Sequence, residues 1–228
     1  MPYAHVQTVS AGTATVTITP STAGNLLILS MWWSGGHADP TVTAGFVSCG
    51  TSVESGSGYV LHQWYYENNS GGITSAGALS WSDGTPGSIR CTVSEYSGIA
   101  TSSSFITHAA QAQTSPLDTG TDDMTSTAAS VGTAPALIYG YINDAGTGTT
   151  MNAGTGFTSR GVDGDGGRIE DERITVTGST AATFTAATNP VGPLVWMSAF
   201  AEPTASLPAN QYPRAHAQRN RRSSGRYM

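Results

Sequence analysis

The sequence contains no lysine, and charged residues of all kinds make up only 11% of its 228 positions. Soluble domains average roughly 25% charged residues. Glycine, serine and threonine take the place of the missing charges. A chain without lysine cannot form a phosphate-binding loop of the G-x-x-x-x-G-K-[ST] type. The G-x-S-x-G motif of many serine hydrolases is also absent, and no enzyme activity is predicted.

Cysteine and long apolar stretches are scarce as well. Cys49 and Cys91 belong to no C-x-x-C pair, so we predict two reduced, partly buried thiols rather than a zinc site. The N-terminus lacks the basic and apolar regions of a signal peptide. The longest apolar stretch, Leu26 to Trp33, is too short to cross a bilayer. We expect synthesis in a cytoplasm and no contact with a membrane.

Alternation of apolar and polar residues is the main local pattern, and it is typical of β-strands. The segments 25–33, 136–142 and 193–201 are apolar on both faces, which predicts central strands that are covered on both sides. Further strands are predicted at 13–19, 59–67, 89–96 and 104–108, and a hairpin at 173–176 and 182–186 with its turn near Gly178.

No segment has the periodicity of an amphipathic helix, and eight or more strands without helices predict a two-sheet antiparallel β-sandwich. At this chain length a jelly-roll is the favoured topology, and an immunoglobulin-like sandwich is the second choice. No linker divides the apolar strands. We therefore predict one β-sandwich domain over residues 1–202, followed by an extended arm over residues 203–228.

Positive charge is concentrated in that arm. Residues 1–202 hold all fifteen acidic residues and four arginines, a formal charge of −11, whereas residues 203–228 carry +5. The five arginines of the arm are Arg214, Arg219, Arg221, Arg222 and Arg226. An acidic body with a basic tail is typical of a globular module with an attachment segment.

Three interpretations of the arm remain open. Arginine binds carboxylates and phosphates in a bidentate manner, so the arm, with Tyr212, is predicted to bind an acidic protein surface or a neighbouring copy's body. Contact with nucleic acid is possible only through the arm, because the acidic body would be repelled. A solvated tail without a partner is the third interpretation.

Several short motifs resemble a β-sandwich module of phage virion proteins and bacterial surface proteins. The most specific are Ser94-Glu95-Tyr96-Ser97-Gly98-Ile99 and Ser115-Pro116-Leu117-Asp118. The others are Ala23-Gly24-Asn25-Leu26-Leu27, Trp64-Tyr65-Tyr66-Glu67-Asn68, Gly156-Phe157-Thr158, Glu170-Asp171-Glu172 and the terminal Ala199-Phe200. The resemblance covers roughly residues 5–202 and leaves out the arm.

The resemblance implies a structural or adhesive role without a shared catalytic site. We expect a phage virion structural protein, of the capsid decoration or cement type or another head- or tail-associated kind, attached through its arm. Its expected partners are capsid or tail subunits and copies of itself, and its expected location is the virion, after synthesis in the host cytoplasm. The alternative is a receptor- or glycan-binding module of a phage fibre or a cell-surface protein.

Two groups of residues suggest ligand sites. Trp64, Tyr66 and Trp81 are candidates for stacking against a sugar. Asp163 and Asp165 resemble the start of a calcium loop, although a glycine-rich hairpin turn explains the same residues. His62, alone on a predicted strand, is expected to be packed or hydrogen-bonded rather than to act as a base. No cofactor is expected.

Overall fold

The computed structural model describes residues 2–56, 58–113, 124–143, 150–186 and 192–203. These residues form nineteen strands and no helix. The strands are β1 (Ala4–Ala11), β2 (Thr15–Thr17), β3 (Leu26–Ser34), β4 (Thr41–Val42), β5 (Val47–Ser48), β6 (Val53–Glu54), β7 (Tyr59–Tyr66), β8 (Ser75–Ser80), β9 (Ile89–Ser97), β10 (Phe105–Ala112), β11 (Met124–Thr125), β12 (Ala129–Val131), β13 (Ala136–Asn143), β14 (Met151–Ala153), β15 (Thr158–Val162), β16 (Arg168–Ile174), β17 (Gly178–Thr180), β18 (Thr183–Ala186) and β19 (Leu194–Ala201).

Two large antiparallel sheets form the centre of the molecule. The first has the order β1-β9-β3-β7-β5, with β6 also paired to β7, and the second has the order β10-β19-β13-β16-β15. Smaller sheets, β2-β8-β4 on one side and β11-β18-β14 with β12-β17 on the other, cover their outer faces. The predicted all-β sandwich is confirmed, and the choice between jelly-roll and immunoglobulin-like topology stays a prediction.

The two halves of the chain, residues 4–97 and 105–201, have the same strand order. Replacing β1, β9, β3, β7 and β5 by β10, β19, β13, β16 and β15 converts the first large sheet into the second. The same replacement rule relates β2-β8-β4 to β11-β18-β14. Each half is therefore a large sheet with a small sheet packed on it, and the halves meet through their large sheets.

The double-sided burial of β3 shows how the layers are built. Leu26, Ile28 and Trp32 point into the cluster between the two large sheets, which we call the central core. Leu27 and Leu29, one residue out of phase, point into the cluster under β2-β8-β4. Because successive strand residues face opposite sides, an apolar run of this length fits only a strand that is covered on both faces, as the sequence predicted.

The second half repeats this arrangement in β13 and β19. Tyr139 and Trp196 lie in the central core, whereas Ile138 and Met197 lie in the cluster under β11-β18-β14. All four side chains are fully buried. Truncating a large core side chain costs about 3–5 kcal/mol, so these strands contribute strongly to the stability of the body.

Polar contacts also join the two halves. The indole nitrogen of Trp32 in the first half donates to Oδ2 of Asp163 in the second, at 3.1 Å. The hydroxyl of Ser198 in the second half donates to Oε1 of Gln63 in the first, at 2.8 Å. These groups are buried, and losing a partner there leaves an uncompensated polar atom. The junction is therefore specific as well as apolar.

The predicted hairpin between 173–176 and 182–186 is wrong. β16 ends at Ile174, and β18 pairs with β11 and β14 rather than with β16. The intervening residues form β17, which pairs with β12. The chain leaves the large sheet at this point and crosses to the outer layer, so two sequential strands lie in different sheets.

Cys49 and Cys91 are free and buried, as predicted. Cys49 lies in the central core, whereas Cys91 lies on the opposite face of the first large sheet. A disulfide between them would have to cross the sheet. Burial raises the pKa of both thiols to about 12, so both are unreactive at neutral pH. Within the described ranges, the search for a helix that could span a bilayer found none.

Candidate functional site

The residues predicted for partner binding lie outside the described part of the chain. They are Tyr212, Arg214, Arg219, Arg221, Arg222 and Arg226. The Ser-Pro-Leu-Asp motif at 115–118 lies outside it too. The structure therefore addresses the sites of the body.

The three aromatic residues proposed for sugar stacking all pack on the cluster under β2-β8-β4. Trp64 is 5% exposed and stacks on His62, with ring centroids 4.1 Å apart. A ring this deeply buried offers no open face to a sugar, so Trp64 belongs to the core. Tyr66 packs edge-on against Phe46 at 5.7 Å, and Trp81 is partly buried.

Asp163 and Asp165 lie in the turn between β15 and β16. This is a glycine-rich hairpin turn, the alternative to a calcium loop that the sequence also offered. Oδ1 of Asp163 accepts from the backbone N–H groups of Asp165 and Gly167, both at 2.9 Å. Oδ2 accepts from Trp32 and from the hydroxyl of Tyr141. Among the described residues, no group of three or more potential ligands could hold a metal ion. The Asp163 carboxylate organises the turn instead.

An open cleft of about 300 Å³ lies beside this turn, where the two halves meet. Its lining includes Ser10 and Arg90 from the first half and Asp163 and Gly164 from the second. The Arg90 guanidinium forms an ion pair with Asp165 and lies 5.7 Å from the centre of the Trp32 ring. The cleft thus presents fixed polar groups of both signs.

A second constellation, which the sequence did not reveal, lies at the other edge of the first large sheet. The hydroxyl of Ser48 is 2.8 Å from Nε2 of His62. Nδ1 of the same ring is 3.0 Å from Oδ2 of Asp39. Serine, histidine and aspartate in this sequence of contacts have the connectivity of a catalytic triad. We call these residues the Ser48 triad.

Strand pairing brings the triad together. β5 pairs with β7 so that Ser48 is opposite Trp64, and His62 is two residues before Trp64 on the same face. Asp39 comes from the loop that precedes β4. Ser48 and Asp39 are exposed, whereas the His62 side chain is only 3% exposed. The expectation that His62 is packed and hydrogen-bonded agrees with this burial.

Aromatic rings enclose the imidazole. His62 stacks with Trp64, at 4.1 Å, and with Trp196, at 5.6 Å, and His108 stacks with Trp196 at 5.3 Å. Burial, followed by the charge of His62, lowers the pKa of His108. These stacking contacts fix the plane of the His62 ring. Its two nitrogens lie at the ring edge and contact Ser48 and Asp39.

The acid of the triad is held in its charged form. Partial burial raises the pKa of Asp39, but the adjacent His62 imidazole and a hydrogen bond from Ser52 lower it by more, so the net shift is downward. The Nδ1–H of His62 is not aimed straight at the carboxylate, because the contact meets the distance but not the angle of a hydrogen bond. Such misalignment is common in catalytic sites without substrate.

Comparisons with known proteins add no relative to this picture. No protein-family model matches the chain, no curated protein is significantly similar in sequence, and no solved structure matches it.

Proposed function

We propose that the protein is a structural component of a phage virion, a β-sandwich of the capsid decoration or cement type or another head- or tail-associated kind, attached through residues 203–228. The separation of charge carries the proposal: the body has a formal charge of −11 and the arm +5. The resemblance of the motif at 94–99 and its companions to virion β-sandwich modules supports the same assignment.

The body suits a structural role because few of its residues are charged and three apolar clusters fill its interior. The central core and the two outer clusters stack the four sheet layers against one another. Such a body supplies a rigid shape, and the arm adds arginine contacts to an acidic neighbour. Many copies on a lattice convert weak individual contacts into strong attachment.

The alternative is a receptor- or glycan-binding module, and the cleft beside Arg90 is the observation that favours it. Its mixed lining, in which Arg90 and Asp163 lie among small and apolar residues, and its position between the two halves resemble those of small-molecule sites, which often occur at domain junctions. In this case ligand binding would depend on the body and not on the arm.

Removal of residues 203–228 separates the two proposals. The truncated chain is expected to fold with an unchanged melting temperature, because the buried clusters of the body consist of residues that precede 203, and to be lost from purified particles. The measurement is quantitative protein analysis of sedimented particles assembled with either chain.

Full incorporation of the truncated chain would contradict attachment through the arm. If the truncated chain also binds host-surface polysaccharide as well as the full chain does, the glycan-binding alternative is supported instead.

A further inference from the structure

We propose that Ser48 is a nucleophile that accepts the acyl group of small esters. His62 is the base that activates it, and Asp39 positions His62. Ser48, His62 and Asp39 all belong to the first half of the body, so this activity does not depend on the arm. It is independent of attachment to a particle.

The contacts of the two His62 ring nitrogens indicate which of them carries the proton. Nδ1 lies 3.0 Å from a carboxylate oxygen of Asp39, and two lone pairs at that distance would repel each other. Nδ1 therefore carries a proton. In the neutral ring Nε2 is then the unprotonated nitrogen, and it lies 2.8 Å from the Ser48 hydroxyl. This tautomer allows the ring to accept the Ser48 proton.

The surroundings of the serine oxygen are consistent with a reactive group. The Gly50 N–H donates to Oγ of Ser48 at 3.0 Å, and the Gly50 carbonyl oxygen is 2.7 Å from the same atom. The Gly50 carbonyl competes for the hydroxyl proton in the resting state, and transfer to Nε2 needs only a rotation of the hydroxyl. Ser48 itself is exposed, so an ester can approach it directly.

Burial distinguishes His62 from a surface histidine. The imidazole is buried and packs against Trp64 and Trp196, where the effective dielectric constant is low and electrostatic interactions are stronger than in water. An imidazolium formed there during proton transfer has Asp39 as its counter-charge. Asp39 stays partly exposed, so the pair is reached from solvent without unfolding of the stack.

The chemistry is acyl transfer. The Ser48 oxygen attacks the carbonyl carbon of an ester while its proton moves to Nε2 of His62. The tetrahedral intermediate expels the alcohol, which takes that proton, and an acyl-Ser48 ester remains. Water then attacks this ester while its proton moves to His62, and His62 returns that proton to the Ser48 oxygen as the acid leaves. The net reaction is hydrolysis of one ester to one acid and one alcohol.

The open surface around Ser48 favours small acyl groups over long chains. Ser48 lies on a two-residue edge strand. The rings of His62, Trp64 and Trp196 near it are packed against one another. An acetyl group can reach the exposed hydroxyl directly from solvent, without entering the packed body. Acetyl esters are therefore the substrate class to test.

The test is covalent labelling of the full chain with a fluorophosphonate probe, followed by peptide mass spectrometry. We expect labelling of Ser48 and none of Ser80, an exposed serine at the end of β8. Ser48→Ala is expected to abolish the label and Ser80→Ala to leave it unchanged. Asp39→Asn, at an exposed position, should slow labelling by about 100-fold.

Asp39→Glu distinguishes positioning from a structural role, because it restores the carboxylate and should recover part of the labelling rate. Hydrolysis of p-nitrophenyl acetate should follow the same order among the variants. An unlabelled Ser48, or a labelling rate that Asp39→Asn leaves unchanged in a folded protein, would overturn the proposal and leave Ser48 as a hydrogen-bonding cap for a buried histidine.

Discussion

Replacing Asp163 by alanine is expected to lower the free energy of unfolding by about 3–5 kcal/mol. The carboxylate is 2% exposed and accepts four hydrogen bonds, from two side chains and two backbone N–H groups. Alanine would leave all four donors without this acceptor, and three of the four hydrogen bonds are buried. The loss also reaches the first half, because one of the donors is the indole of Trp32.

Urea denaturation of the variants measures this effect. Asp163→Asn keeps one carbonyl oxygen for the turn and is expected to lose less than alanine does. Asp165→Ala is the matched control in the same turn, since its ion pair with Arg90 is partly exposed and such pairs contribute roughly 0–1 kcal/mol. Equal losses for Asp163→Ala and Asp165→Ala would contradict the role of Asp163 at the junction.

Glu170 is expected to make the stability of the body depend on pH. Its side chain is fully buried and accepts from the Gly154 and Thr183 N–H groups at 2.9 and 3.3 Å. Burial raises the pKa of this carboxyl to about 8, although both backbone hydrogen bonds lower it. Between its unfolded pKa near 4.5 and pH 8, the unfolded chain loses this proton while the folded chain retains it.

The free energy of unfolding therefore falls as pH rises through this window. The contribution of Glu170 to it decreases by about 4–5 kcal/mol. Glu170→Gln removes the titration but leaves one N–H without an acceptor, a cost that does not vary with pH. The variant should gain stability relative to the original protein as pH rises from 4.5 to 8. A difference in unfolding free energy that stays constant over this range would contradict the assignment.

Glu67 provides a control of opposite sign. Partial burial raises the pKa of its carboxyl, but hydrogen bonds from Ser104 and Ser103 lower it by more. The stabilising contribution of Glu67 is present above the unfolded pKa and is lost as pH falls through the lower folded pKa. Glu67→Gln should therefore destabilise the protein at neutral pH and have little effect on the free energy of unfolding in acid. Glu170→Gln shows the opposite trend, because its stability relative to the original protein is lowest in acid.

The apolar strands of the fold were predictable because the burial of both faces is visible in the sequence. The segments 25–33, 136–142 and 193–201 became β3, β13 and β19 with shifts of one residue at their ends. The repeated strand order of the halves was not visible. It depends on which strands pair, and Leu27-Ile28-Leu29 and Leu137-Ile138-Tyr139 share only a general apolar character.

The Ser48 triad was beyond sequence reasoning for a related reason. Ser48 lies in a two-residue strand without a pattern of its own, and its position opposite Trp64 is set by the register with β7. His62 looked like a packed strand residue, and its burial agrees with that interpretation. The signal that could have suggested more is the cluster of a serine, a histidine and an aspartate within the range 39–62.

The most direct test of the proposed attachment keeps the arm and removes its charge. The variant replaces the five arginines Arg214, Arg219, Arg221, Arg222 and Arg226 by glutamine in the full chain, and the measurement is its copy number on sedimented particles at low and high salt. We predict a loss of about tenfold or more at low salt, with the original chain also released as salt rises. A copy number equal to that of the original chain under both conditions would contradict attachment by the arm.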